Sequence, residues 1–165
     1  MISQEQMTKI KTLADEVSRR EGCRLYDVEI GGGRERILRV YVENEKENVS
    51  IEQLANVSRG LSLLLDVQDV VPGAAYELEV SSPGVDRILR EKWHFQGAIG
   101  RSAKLILFDR APELKGEVKS LQSVIKSASE THVGMEHNGT PVEIPYENIK
   151  RAQVVFEYKT NEKKR

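Results

Sequence analysis

Cysteine is nearly absent from this chain of 165 residues: Cys23 stands alone. No intramolecular disulfide and no zinc centre built on several thiolates can form from it, and a reducing, cytoplasmic setting is expected. Aromatic residues are scarce at 5%, with Trp93 the one tryptophan, which argues against a recognition sheet that stacks several RNA bases on its rings. No stretch approaches the ~20 apolar residues that a membrane-spanning helix requires. The opening Met1-Ile2-Ser3-Gln4-Glu5-Gln6 lacks the basic and apolar regions of a secretory signal, so neither secretion nor membrane insertion is expected. Net charge is also nearly missing, with 25 basic against 26 acidic side chains. The balance conceals an asymmetry. Residues 1–83 sum to −5 and residues 84–165 to +4, so the two halves present fields of opposite sign to a partner.

Catalytic and cofactor motifs are lacking too. Gly31-Gly32-Gly33-Arg34 has neither the P-loop order nor the dinucleotide-binding one, since position 36 is arginine. It reads as a hairpin turn that leaves Arg34 and Arg36 available to an external phosphate. His94, His132 and His137 are the three histidines, and they come from distant segments that do not supply the ligand count of a zinc site. Ser81, Ser82, Asp86 and His94 include the residue types of a serine hydrolase, but no Gly-x-Ser-x-Gly elbow surrounds either serine. No catalytic residue, cofactor or metal is expected.

What is present is a regular succession of short elements. Met7, Ile10, Leu13, Ala14 and Val17 recur at helical spacing from Ser3 to Arg20. Ser3 with Gln6 forms a capping-box pair, and Gly22 stands where a left-handed cap belongs. Arg24–Ile30 and Arg36–Glu43 are rich in β-branched and aromatic residues and form a hairpin about the three glycines. Leu38, Val40 and Val42 point to one face of its second strand, so helices are expected on that face alone. Ser50 with Gln53 repeats the capping box, followed by the stripe Leu54, Val57, Leu61, Leu64 and Leu65 to about Asp66. Tyr76-Glu77-Leu78-Glu79-Val80 alternates as a third strand. Beyond a boundary near residue 84, the segments 103–108, 116–124, 132–136, 142–144 and 152–156 read as five short strands of a small barrel. The chain is thus α+β in two domains. Residues 1–83 are an α-β-β-α-β sandwich, 84–100 a connector, 101–158 the small β-barrel and 159–165 a basic tail.

The least ordinary stretch is the corner Ser81-Ser82-Pro83-Gly84-Val85-Asp86-Arg87. Pro83 fixes φ and Gly84 permits a positive one, a pairing suited to a type II turn, while the serine hydroxyls are placed to cap nearby backbone. Its structural reading is an anchored hinge. Its functional reading is a rigid corner that presents serine hydroxyls and Arg87 to RNA or protein.

Tyr76 through Arg87 resembles the signature of the bacterial ribosome maturation factor RimP family. The resemblance extends over roughly residues 8–156, through Leu25-Tyr26-Asp27-Val28-Glu29, Leu38-Arg39-Val40-Tyr41-Val42, Val57-Ser58-Arg59-Gly60-Leu61-Ser62, Phe95-Gln96-Gly97-Ala98-Ile99-Gly100-Arg101 and Ile144-Pro145-Tyr146-Glu147-Asn148-Ile149-Lys150-Arg151-Ala152. It implies an N-terminal α/β domain and a C-terminal Sm-like (SH3-type) barrel. It also implies a cytoplasmic, non-enzymatic factor without cofactor that binds the free small ribosomal subunit and assists its late maturation, including incorporation of the decoding-region small-subunit protein. Where the family's corner usually continues Asp-Arg-Pro-Leu, Ile88 replaces the proline and retains an N–H and a freer φ. On this reading the acidic half, with Glu77 and Glu79, meets the basic ribosomal protein, and the basic half tolerates small-subunit rRNA. Glu77, Glu79, Ser81, Ser82, Pro83, Gly84, Asp86 and Arg87 are the expected binding residues. A monomer is expected. The alternative function is a general RNA-binding or RNA-chaperone module.

Overall fold

The computed structural model describes residues 1–33, 36–73, 75–109 and 119–156. Arg34, most of the expected turn at 109–112, the start of the expected strand at 116–124 and the basic tail at 159–165 lie outside the described residues. The chain divides into two units, Met1–Pro83 and Gly84–Arg165. Among the described residues no helix is long and apolar enough to cross a membrane.

The first unit begins with α1 (Gln4–Arg20), capped by the reciprocal Ser3 and Gln6 hydrogen bonds. At its other end Gly22, at φ +73°, lets the Gly22 N–H reach the Arg19 carbonyl and the Cys23 N–H reach that of Ser18, a Schellman ending. Strands β1 (Arg24–Gly31) and β2 (Arg36–Glu43) pair antiparallel, and α2 (Ile51–Val67) is closed at its start by Ser50 and Gln53 in the same way as α1. β3 (Tyr76–Ser81) then returns parallel to β2, giving the sheet order β1-β2-β3. The intervening helix makes that parallel return feasible.

Leu38, Val40 and Val42 join Ile10, Leu13, Val17, Val57, Leu61 and Leu65 in one core, as their alternation and helical spacing require. Gly60 brings α2 close to α1: a Cβ there would stand 3.0 Å from Val17 Cγ1. The Tyr76 hydroxyl is buried near the Asp66 carboxylate but without a hydrogen bond of full geometry among the described residues. Burial, ahead of the charge of Asp66, pushes its phenol pKa up. Because a buried polar atom left unpaired costs about 1–3 kcal/mol, Tyr76→Phe is expected to hold or raise the stability of this unit, read as an unchanged or higher urea midpoint.

In the second unit the described residues form seven strands, not five. They are β4 (Ile88–Leu89), β5 (Ser102–Leu107), β6 (Ser120–Val124), β7 (Ser127–Ala128), β8 (His132–His137), β9 (Thr140–Pro145) and β10 (Ile149–Val154), with α3 (Lys92–Gly97) between the first two. These strands make two sheets, β4-β10-β5-β6 and β7-β8-β9, and not a closed barrel among the described residues. The ladder breaks after β6, where the Ile125 N–H donates to Arg101 and the Lys126 N–H to Gly134, so the chain passes from one sheet to the other. β8 and β9 turn through Asn138 and Gly139, at φ +51° and +77°, the pair of positive φ values that a type I′ hairpin demands.

One core serves both sheets, with Leu105, Ile125, Val133, Met135, Ile144, Ala152 and Val154 closed to solvent. Residues 84–100 contribute to it directly, because β4 supplies Leu89, α3 supplies Phe95 and the residue capping α3 is Ala98. Trp93 is half-buried, its ring meeting that of His94 edge-on at 4.3 Å.

Candidate binding face and corner

One face of the first sheet carries the helices and the other carries none of them. On the helix-free face the register sets Glu29 beside Arg39 and Arg39 beside Glu79, one residue from each strand. Arg39 Nε donates to Glu79 Oε2 at 2.8 Å, and the Tyr41 hydroxyl donates to Glu29 Oε2 at 3.2 Å. Glu79, by that hydrogen bond and then by its charge, holds the Arg39 guanidinium above its usual range. Gly31 makes room for this group, since a Cβ there would come within 2.6 Å of the Arg39 guanidinium. Glu77 lies on the same face, opposite Ile37, exposed and without an ion pair among the described residues. Two carboxylates, Glu29 and Glu79, therefore flank one guanidinium, Glu77 adds a third to the same face, and the face is acidic. Glu77 and Glu79 are not equivalent: Glu79 holds Arg39, and Glu77 is unspent.

β3 is also an edge of the sheet. An edge strand offers one row of backbone N–H and C=O groups to an added strand. The N-terminal sheet thus joins an acidic face to an open edge along Tyr76–Ser81.

At the corner, Ser81 and Ser82 are exposed and, among the described residues, their hydroxyls cap nothing. The expected backbone capping by these serines is therefore corrected: both stand open to solvent. Gly84 takes φ +80°, the value that the third position of a type II turn requires. From Gly84 onward the chain is fastened to the second unit through its carbonyls. Gly84 accepts from Arg87 Nε, Val85 from Arg101, Asp86 from Gln153 and Arg87 from the Val154 N–H. Arg87 thus anchors the turn by its side chain and Asp86 by its backbone, while the exposed Asp86 carboxylate lies over Gly84, 3.5 Å from where a Cβ there would stand. Ile88, in the place of the proline, belongs to β4 opposite Gln153.

The remaining polar candidates take structural parts. His94 is buried, and its Nδ1 accepts from the backbone N–H groups of Arg90 and Glu91 at 3.0 and 3.1 Å. That use as a backbone acceptor is incompatible with a free general base. Arg36 donates to the Pro72 carbonyl at 2.7 Å, which ties the start of β2 to the loop before β3. His132 Nδ1 lies 2.7 Å from Thr131 Oγ1 at the surface. Among the described residues no three His, Cys, Asp or Glu side chains cluster as metal ligands would.

Sequence reasoning did not find Arg39 as the partner of Glu79, nor Glu29 and Tyr41 as the pair beside them. The signal was available in the even spacing of Glu77 and Glu79, and of Arg39 and Tyr41, but which strands lie side by side could not be read from it. Residues 13–86 match the model of the RimP N-terminal domain, a stretch that runs from within α1 through all three strands of the first sheet to the corner. The first unit is thus identified as a RimP N-terminal domain, and the match supports a place for the chain in the RimP family of ribosome maturation factors.

Proposed function

We propose that the chain binds the free small ribosomal subunit in the cytoplasm and assists its late assembly, including incorporation of the decoding-region small-subunit protein, without catalysis and as a monomer. The RimP N-terminal domain at residues 13–86 carries this reading. The second unit acts in it as an Sm-like module, and the corner from Ser81 to Arg87 joins the two functions.

The acidic first half is the part suited to a basic ribosomal protein, and its means is the β3 edge with Glu77 and Glu79. An extended basic segment added along that edge would gain backbone hydrogen bonds from the strand and charge complementarity from the carboxylates. Glu77→Lys is expected to weaken binding of the decoding-region protein by roughly tenfold at low salt and to flatten its salt dependence, with thermal stability unchanged. Glu79→Lys also breaks the pair with Arg39, so stability must be measured beside affinity there. Unchanged affinity and salt dependence in the Glu77→Lys/Glu79→Lys double variant would remove the edge from the mechanism.

The parent reading is tested by co-sedimentation with free small subunits, free large subunits and joined ribosomes at moderate salt. Selective migration with free small subunits is the expected result. Equal binding to every RNA-containing particle would replace the reading with that of a general RNA-binding module, and binding to none would overturn it.

A further inference from the structure

β10 begins irregularly. Its pairing with β5 shifts between Ile149 and Arg151, so Lys150 is an extra residue in the ladder. Successive residues of a regular strand point to opposite faces, whereas a bulge re-aims a side chain. Here Lys150 and Arg151, neighbours in sequence, line the same hollow of about 230 Å³ together with Arg90.

The hollow lies wholly in the second unit. Its floor is closed core, Leu89, Phe95 and Ala152, and half-buried Tyr146 and Ile149 complete the lining. The Tyr146 ring is held in place. Its hydroxyl donates to the Ser129 carbonyl at 2.8 Å and its ring packs 5.2 Å from that of Phe95. The volume is below the about 300–1,000 Å³ of pockets for drug-sized ligands, which suits a single ring and not an enclosed metabolite.

Two cations of the rim, Lys150 and Arg151, are uncompensated among the described residues. In the first unit Arg19, Arg20, Arg24 and Arg39 are each paired with a carboxylate. Lys150 and Arg151 are exposed, and among the described residues neither side chain has an ion pair or hydrogen bond. Two like charges on one rim repel, and an anion seated between them removes the repulsion.

We propose that this hollow holds a phosphodiester and its adjoining base from single-stranded RNA, with Lys150 and Arg151 on the phosphate and the Tyr146 ring against the base. Cations beside an aromatic ring are the combination by which single strands are held without sequence preference. The choice of RNA over an acidic peptide rests on the ribosomal reading above.

The test is fluorescence anisotropy of a short fluorescein-labelled oligouridylate titrated with the full chain over a range of salt, with co-sedimentation on free small subunits run on the same preparations. Lys150→Ala/Arg151→Ala is expected to lose roughly tenfold in affinity at moderate salt, and its plot of log affinity against log salt should flatten by about 0.7 for each cation removed. Lys126→Ala, which alters an exposed lysine outside the hollow, should bind as the wild type does. No binding of oligouridylate, or equal binding by the double variant, overturns the hollow as an RNA site. In either case the ribosomal reading stands if the wild type still sediments with small subunits and falls if it does not. An acidic phosphopeptide that binds more tightly than the RNA and depends on the same two residues overturns RNA as the occupant.

Discussion

Leu105→Ala is expected to lower the stability of the second unit by about 2–5 kcal/mol, the range for deleting a fully buried leucine side chain. Leu105 is closed to solvent in β5, between Leu121 on one neighbouring strand and Ala152 on the other. A β-sheet backbone on both sides cannot slide in to fill the space, and Ala152 has no side chain long enough to do so. The cavity term should therefore be near its upper range. Trp93, the one tryptophan in the sequence, lies half-buried in this unit, whereas both 17-residue helices belong to the first unit. Urea unfolding followed by Trp93 fluorescence and by far-UV circular dichroism thus watches the units separately. The fluorescence transition should move to lower urea while the helical one stays. A loss below about 1 kcal/mol would mean that the site collapses around the deletion, and an equal shift of both transitions would mean that the units unfold as one.

Gly60→Leu should do the reverse, moving the helical transition and sparing Trp93. The cost expected from overpacking is about 3 kcal/mol. The first atom of the new side chain would already meet Val17 Cγ1 at 3.0 Å. Val17 is buried in α1 and, being β-branched, has essentially one rotamer in a helix. It cannot turn aside, so α1 and α2 must separate. Gly60→Ala is the informative companion. It gains the about 1 kcal/mol by which alanine surpasses glycine in a helix and meets the same 3.0 Å contact, so it should fall close to the wild type and far from Gly60→Leu. Two variants equally destabilised would show that backbone conformation, not the approach of the helices, is what glycine serves at this position.

The first unit was legible where the chemistry is local. Ser3 with Gln6 and Ser50 with Gln53 announce both helix starts, and Gly22 announces the first helix end. The second end was not announced. α2 runs to Val67, one residue past the expected end near Asp66, and its left-handed position falls to Asp69 at φ +44°, where no glycine marks it. The faces of β2 followed from alternation, but the parallel placement of β3 beside it did not, because period-two patterning is the same whichever neighbour a strand takes. The Arg39 pair with Glu79 was invisible for that reason.

In the second unit the two-residue strands β4 and β7 are too short to show any period. Ser127–Glu130 looked like turn material because β7 consists of Ser127 and Ala128, poor strand formers that pair only because Gly134 and Val133 stand opposite. Closure of five strands into one barrel did not follow from five strand-like runs. The bulge that puts Lys150 and Arg151 on one rim is a property of register, which no single strand's sequence records.

The parallel strand at the edge of the first sheet also has a consequence in time. β1 and β2 meet through a short hairpin, but β3 must close on β2 with the whole of α2 between them, Arg36 finding Tyr76. Closing a longer loop costs more entropy before any contact repays it, and non-local pairing is slow. During synthesis the chain as far as α2 can already assemble the two helices on the hairpin, and β3 docks last. Glu77 and Glu79 exist in the nascent chain from the moment they are made, but the acidic edge they belong to exists only once the unit is complete. A partner that needs the edge, and not merely the charge, is thereby reserved for finished molecules.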